Sequence, residues 1–283
     1  MKLEKATVHV GTGFSFRTLH ITDSHLALCN ENDPEKQRAL SVRRQELFDR
    51  GVPGQCRRRF EDYLAYAKQQ GETVLMTGDI IDFLSDGNRA YLKKALEGVD
   101  YIYAAGNHDF CHYPGLEIDD DDVKRANMKE AAPYFPHDNL IFSSQTRFGV
   151  NFVSIDNTYY RTTAGQHDLF MAEAAKGMPI VLLMHNPLYS KELADAILKT
   201  DKVAWLAGCP QSLLDTYPGD YGKAHAPDAE TLSLIEDIRH CELVKAIVTG
   251  HVHASYVFPF SNTATQYVTG GTYLEEVVEF EFV

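Results

Sequence analysis

The chain has 283 residues, 44% hydrophobic and 24% charged, the make-up of an ordinary globular protein, and it is long enough to bury a core without disulfide staples. Lys and Arg number 27 against 40 Asp and Glu, a formal net charge of −13, which argues against a general nucleic-acid binder, whose phosphate affinity needs clustered cations, and against docking on an anionic membrane. Five scattered cysteines with no C-x-x-C pair speak against a disulfide framework and fit a reducing, cytoplasmic compartment; neither a signal peptide nor a membrane-length apolar run is legible.

In chain order, residues 5–10 and 14–22 alternate as strands joined by a Gly11-Thr12-Gly13 turn. The second strand delivers Asp23 and His25. Residues 30–54 form a long polar stretch, in which Asp33-Pro34-Glu35 predicts a helix start with Pro at the first helical position. Phe60, Tyr63, Leu64, Tyr66 and Ala67 give residues 57–70 a helical rhythm, which Gly71 ends. Residues 73–76 are a short buried strand into Gly78-Asp79, 89–96 a helix, and 100–104 a strand into Gly106-Asn107-His108. That alternation predicts parallel βαβ units and an α/β fold. An acidic stretch at 117–122 leads into a helix over 122–132, with the acid at its positive end. Residues 139–143 and 148–156 read as sequential strands, and 178–184 as an apolar strand ending at His185. Residues 194–227 show no clear period and hold the only tryptophan, Trp205. A helix over 231–238, a strand over 244–248 into Gly250-His251, and β structure at 256–259, 266–269 and 275–282 close the chain. The polar clusters run from Asp23 to His253, so one domain over 1–283 is expected, with insertions near 30–54 and 194–227 that shape the rim of a pocket.

Most of the strands end on a polar cluster. A side chain at a strand's C-terminal end stands at the rim of a sheet, where α/β enzymes gather ligands. Asp23-Ser24-His25 puts a carboxylate and an imidazole two apart, on one face of extended chain. Gly78-Asp79 joins a glycine, free to turn tightly, to a carboxylate whose two oxygens can bridge two cations. Asn107 offers a neutral amide oxygen. His185, His251 and His253 offer imidazoles, and the last two are spaced to divide between two ions. His108 is left over to act as an acid. Singly, each has a plainer reading: His185 as a hydrogen-bonded residue near the core, Gly106-Asn107-His108 as a turn, Asp82 as a helix cap. Asp109 is expected to bond loop amides. His9, His20, His112, His137, His167, His225 and His240 have no partner pattern. Arg57-Arg58-Arg59 reads as a basic helix end, and the acids at 119–122 lack EF-hand spacing. Tyr159-Tyr160-Arg161 follows a strand and could reach the site.

Together and in this order, D-x-H, G-D-x-x-D, G-N-H-D, H and G-H-x-H resemble the motif set of the calcineurin-like metallophosphoesterases, over about residues 16–253. The resemblance implies a four-layer α-β-β-α sandwich with the metal site at the C-terminal ends of strands. It implies one ion on Asp23, His25, the bridging Asp79 and His253, and a second on Asp79, Asn107, His185 and His251. His108 would serve the leaving group, and Asp82 would hold its imidazolium form. The implied reaction is phosphoester hydrolysis by in-line attack of a metal-bridging hydroxide, without a covalent phosphoenzyme. All donors are nitrogen or oxygen, which suits two divalent or mixed-valence ions, Mn, Fe or Zn foremost.

Two departures narrow the branch. Purple acid phosphatases carry Tyr where Asp82 stands and lack a His at position 25, so an Fe(III)–phenolate site is not expected. Ser/Thr protein phosphatases carry Arg where Ala105 and Phe83 stand. The wording around Asp23 and Asn107 is more similar to the bacterial cyclic-nucleotide phosphodiesterase-like branch. The expectation is a cytoplasmic phosphodiesterase acting on a small phosphate compound, with no nucleic-acid or membrane partner. The alternatives are a phosphomonoesterase and, from another class, a non-catalytic scaffold, which would be expected to lose ligands or the acid His. A nuclease would want a basic groove or a capping domain. Oligomeric state is not legible.

Overall fold

A computed structural model describes residues 2–114, 121–134 and 140–283. Its strands are β1 (Glu4–Val8), β2 (Phe16–Ile21), β3 (Thr73–Met76), β4 (Tyr101–Tyr103), β5 (Phe142–Arg147), β6 (Val150–Ile155), β7 (Ile180–Leu183), β8 (Val244–Thr249), β9 (Tyr256–Pro259), β10 (Thr265–Val268) and β11 (Val278–Phe282). Its helices are α1 (Glu35–Asp49), α2 (Gln55–Gln70), α3 (Asp86–Ala95), α4 (Asp121–Ala131), α5 (Ala164–Ala174), α6 (Lys191–Ile197), α7 (Gln211–Leu214), α8 (Tyr221–Ala224) and α9 (Ala229–His240).

The strands form two sheets, ordered β1-β11-β2-β3-β4 and β5-β6-β7-β8-β10-β9. β2, β3 and β4 are parallel, as are β6, β7, β8 and β10. Among the described strands, antiparallel pairing is confined to β11 on β2 and to the two edge strands of the second sheet. The sequence explains the layering. Strands buried on both faces are apolar at successive positions, and their two faces go to different cores. In β3, Leu75 joins Ile102, Phe152, Val181, Leu183, Val248 and Phe280 between the sheets. Its neighbours Val74 and Met76 pack outward against Phe60, Tyr63 and Leu64 of α2. The second sheet does the same: Val181 and Leu183 point inward, while Ile180 and Leu182 meet Phe170 of α5 and Leu234 and Ile238 of α9. The result is the α-β-β-α sandwich.

Three local expectations need correction. The strands expected at 5–10 and 14–22 are not neighbours, because β11 lies between β1 and β2. Pro34 stands at the N-cap of α1, one place before the first helical residue. Residues 194–227 are not aperiodic coil: α7 and α8 and the end of α6 fall there, around a small core of Leu193, Ile197, Leu206 and Leu214. Helix α5 was not expected, although Thr163 and Gln166 form a capping box at its start. The first acids of the 117–122 stretch, Asn139 and His137 lie outside the described residues. Among the described residues all five cysteines are free thiols, and no helix is long and apolar enough to cross a membrane.

Candidate metal centre

Parallel pairing continues past the ends of β2 and β3. The amides of Asp23, His25 and Leu26 donate to the carbonyls of Gly78, Asp79 and Ile80 at 3.0, 2.9 and 3.0 Å. This lays the Asp23-Ser24-His25 loop beside the Gly78-Asp79 loop. The Gly106-Asn107 turn after β4 joins them, since the amide of His108 donates to Asp79 Oδ1 at 2.9 Å. From the second sheet come His185 after β7 and His251 and His253 after β8. The amide of His251 donates to Asp23 Oδ2 at 3.0 Å, tying the two sheets at the site.

The turns are tight enough to forbid side chains on their glycines. A Cβ on Gly250 would lie 2.1 Å from Thr22 Oγ1 and 2.2 Å from Asp23 Oδ2. One on Gly106 would lie 2.2 Å from Asp79 Oδ1. Asp23, His25, Asp79, His251 and His253 all have positive φ, from 45° to 72°. Few side chains tolerate that region, Asp and His better than most. Such residues cluster where function over-determines the backbone. No sequence pattern announces this.

The ligand-type atoms converge. Asp23, His25 and His253 form one group, Asp79, His185 and His251 another, and His25, Asp79 and His108 a third, each with atoms within 4.8 Å of one another. Asp79 Oδ2 lies between the first two groups, 3.3 Å from His185 Nε2 and 3.8 Å from His25 Nε2. Asn107 is buried and lines the same cavity as Asp79, His108, His251 and His253. Every sequence-selected residue is therefore in one place.

Hydrogen bonds fix which imidazole nitrogens face inward. His185 Nδ1 lies 2.6 Å from the carbonyl of Thr77 and must donate to it, which in the neutral ring leaves Nε2 as an acceptor. His25 Nδ1 faces Asp82 Oδ1 at 2.9 Å, so its Nε2 also turns inward. These inward nitrogens meet others of the same kind: His25 Nε2 to His253 Nε2 at 2.9 Å, and His185 Nε2 to His251 Nδ1 at 3.1 Å. Two lone pairs at that distance repel unless a proton or a cation lies with them. Asn107 Oδ1 is buried without a hydrogen-bond partner among the described residues, and Asp23 Oδ1 faces imidazole nitrogens, His253 Nε2 at 3.3 Å and His25 Nε2 at 3.8 Å. The donor set therefore fits metal ions, and it contains no thiolate.

The electrostatics agree. Burial opposes ionisation of Asp23, Asp79 and Asp82, yet neighbouring imidazoles, and for Asp82 the Arg44 guanidinium, hold all three well below the ordinary carboxylate range. Burial likewise opposes charge on His25 and His185, but the surrounding carboxylates raise them to about 10 and about 9. The cluster attracts positive charge strongly enough to hold protons on histidines. His251 is driven the other way by burial and by His185.

Around this centre, Asp82 is the hub. It lies 3.2 Å from His108 Nδ1, which also donates to the Asp82 carbonyl at 2.8 Å. Arg44 of α1 grips the Asp82 carboxylate through Nε at 2.5 Å and Nη2 at 2.7 Å. Ser85, not Asp82, caps α3. Phe48 stacks on His25 with centroids 4.1 Å apart. Tyr160 Oη lies 2.7 Å from His251 Nε2, while Arg161 turns away to the Ala226 carbonyl. Asp109 accepts from the amides of Asp79 and Gly106 and from Tyr103, as expected of a loop organiser; burial and the Asp79 charge raise it to about 7. His112 lines a separate cavity with Gln37, Arg89 and Glu130. His20 is a core residue between Thr77 and Thr269. Arg44 escapes sequence reasoning altogether, because nothing local marks it. The centre opens into a cavity of about 510 Å³ lined by Asp79, Asn107, His108, Tyr160, Asp201, Trp205, Tyr221, His251, Val252 and His253.

Among solved structures, a dimetal phosphatase from Danio rerio has the same fold at a TM-score of 0.50 and 16% identity, over 91% of this chain and 88% of that one. A purple acid phosphatase from yellow lupin (Lupinus luteus) seeds does so at 0.54 and 14%, over 92% of this chain and 44% of that one, so the present chain spans less than half its length. The sequence matches none of the curated proteins. A sequence model of the calcineurin-like phosphoesterases matches residues 16–255, which is most of the chain and includes every cluster at the centre. The chain therefore belongs to the calcineurin-like phosphoesterase family and is a metallophosphoesterase, a hydrolase of phosphate esters.

Proposed function

We propose that the chain is a phosphodiesterase acting on a small phosphate compound. The observation that carries this is the cavity lining, in which neither Lys nor Arg takes part among the described residues. A phosphomonoester brings two negative charges to the centre and a diester one. With Arg44 committed to Asp82, no guanidinium or ammonium among the described residues lines the cavity to meet the second charge. The open volume beyond the centre leaves room for the second ester arm.

Asp23, His25, Asp79 and His253 would hold one ion, and Asp79, Asn107, His185 and His251 the other, with the Asp79 carboxylate shared. Two such ions, Mn, Fe or Zn on this donor set, supply Lewis acidity that activates water near neutral pH and neutralises phosphoryl oxygens. The chain's own contribution is orientation and proton transfer. The Asp82 carbonyl and carboxylate fix His108 through Nδ1, so its other nitrogen gives a proton to the leaving oxygen as the P–O bond breaks. The bonds on Thr77 and Asp82 keep His185 and His25 in the tautomer that turns Nε2 inward.

The test compares hydrolysis of bis-p-nitrophenyl phosphate with that of p-nitrophenyl phosphate, using metal-free protein reconstituted with Mn²⁺. Preference for the diester supports the proposal. Preference for the monoester would overturn it and move the search to sugar phosphates and nucleotides.

A further inference from the structure

The far wall of the cavity has no part in the chemistry above. It is made by Tyr160, Trp205 and Tyr221, with Asp201 beside them. The Trp205 and Tyr221 rings meet at 77° with centroids 5.3 Å apart. His225, wholly buried, backs the wall, its ring centroid 3.8 Å from that of Tyr160 and 5.3 Å from that of Trp205. Three of these rings come from the 194–227 segment and one from the loop after β6.

Trp205 is held in place at some cost. Its φ is 56°, a conformation that a bulky residue adopts only when its surroundings impose it. The restraint is Asp201. Its Oδ2 accepts from the indole Nε1 at 3.1 Å, and its Oδ1 accepts from the amides of Lys202 and Val203 at 2.6 and 3.2 Å. A surface loop gains nothing from fixing an indole this way. A binding wall does, because a ring already ordered loses little entropy when a ligand packs on it.

We propose that Trp205 and Tyr221 determine specificity by receiving a planar ring on the organic arm of the substrate, which makes the substrate class a phosphoester that carries a nucleobase-like heterocycle. The proposal rests on the metal centre being the hydrolytic site. Bases stack on aromatic side chains with little regard to their identity, which suits a wall poor in directional polar groups. Among the described residues no Lys or Arg lines the wall to receive a second anionic group. Asp201 already accepts three N–H groups, so a hydrogen-bonding ammonium gains little from it, and a quaternary ammonium is the competing occupant that a phosphocholine ester tests. A bare sugar arm would leave the rings unused.

Trp205 is the only tryptophan in the chain, so the indole emission reports this wall. The full chain loaded with Mn²⁺ is titrated with the monomethyl esters of adenosine 5′-monophosphate, ribose 5-phosphate and phosphocholine, each a diester, with excitation at the red edge of the indole band. The expected result is a saturable change with the adenosine compound at concentrations where the ribose compound gives none. Tyr221 is 46% exposed, so Tyr221→Ala keeps the fold; it is expected to weaken that binding about tenfold. Equal responses to the adenosine and ribose compounds would mean phosphate binding alone and overturn the proposal. A response confined to the phosphocholine ester would make the wall a cation site and overturn it too, as would no response to any of the three. Turnover of phosphoesters without the fluorescence change would sink the wall and spare the hydrolytic reading. The change without turnover of any phosphoester would do the reverse.

Discussion

Asp79 Oδ2 lies within 3.8 Å of an inward nitrogen from each half of the centre, His25 on one side and His185 on the other. An amide there keeps the shape and loses the charge that both ions would share. Asp79→Asn is therefore expected to abolish turnover and to leave fewer than two metal ions per chain by elemental analysis; two ions retained would contradict the bridging role. His108 belongs to the proton and not to the metal. His108→Asn is expected to keep both ions and to slow esters with poor leaving groups by about 10²–10⁴, while activated aryl esters suffer far less. Equal slowing of the two would remove it as the acid. Arg44 acts at one remove, through its paired bonds to the buried Asp82. Arg44→Met is expected to lower metal affinity or activity by about 10–100-fold. Because both residues serve one network, adding Asp82→Asn should cost little more; losses that simply multiply would show that Arg44 acts elsewhere. The residues of the centre were readable because each stands in a short cluster at a strand end, where spacing alone declares chemistry. Arg44 was not, since it meets Asp82 across 38 residues of chain from an otherwise polar helix. Tyr160 could be suspected from its place after β6, but its bond to His251 spans 91 residues. Trp205 and Tyr221 lie in a segment without period, and only the folded path brings them to the cavity.

Among the elements, the loops after β3 and β4 decide whether the centre exists. Gly78 has φ +88°, and a Cβ there would lie 2.3 Å from the amide nitrogen of Gly106. Neither backbone can yield without moving Asp79 or Asn107. Gly78→Ala is expected to destabilise the fold by more than the roughly 1–2 kcal/mol that a left-handed alanine costs alone and to reduce metal occupancy. Gly98 makes the control: φ is +67° there, but a Cβ would meet nothing within 4 Å. Gly98→Ala should cost only the backbone share and leave the metal content unchanged. Equal drops in melting temperature for the two would refute the steric argument. Strands such as β3 were readable at sequence level because runs buried on both faces are apolar throughout and end in glycine-bearing turns. Sheet order was not: β11 enters between β1 and β2 from the far end of the chain, and no local pattern encodes that. Helix α1 was legible at its start, Asp33-Pro34-Glu35, but not along its length. Its buried positions are Gln37, Ser41, Phe48 and Asp49, so it faces the site with polar groups and lacks an apolar stripe.

At the scale of the whole molecule, the two sheets share one core and one site. Leu75, Ile102 and Phe280 of the first meet Phe152, Leu183 and Val248 of the second, and Asp23 accepts the amide of His251 across the joint. We therefore expect a single folding unit, with denaturation curves from Trp205 fluorescence and from far-ultraviolet circular dichroism coinciding; separate midpoints would split it. The 194–227 segment is pinned to this unit by His225, whose two ring nitrogens are buried without hydrogen-bond partners among the described residues. Burial lowers its pKa from 6.5 to about 4. Between those values the unfolded chain binds the proton that the folded chain refuses, so stability falls as pH falls. The contribution is intact above pH 6.5 and is lost toward pH 4 at up to about 1.4 kcal/mol per pH unit. Acidic side chains and the similarly buried His20, lowered to about 3, add to the acid loss, so the informative quantity is a difference. His225→Phe keeps a ring against Tyr160 and Trp205 and removes the titration. Its melting temperature should match or exceed that of the parent near neutrality and fall less steeply between pH 6.5 and 4. Parallel curves for the two proteins would show that His225 takes its proton in the folded state, and that the rings behind the cavity wall are not held by a neutral imidazole.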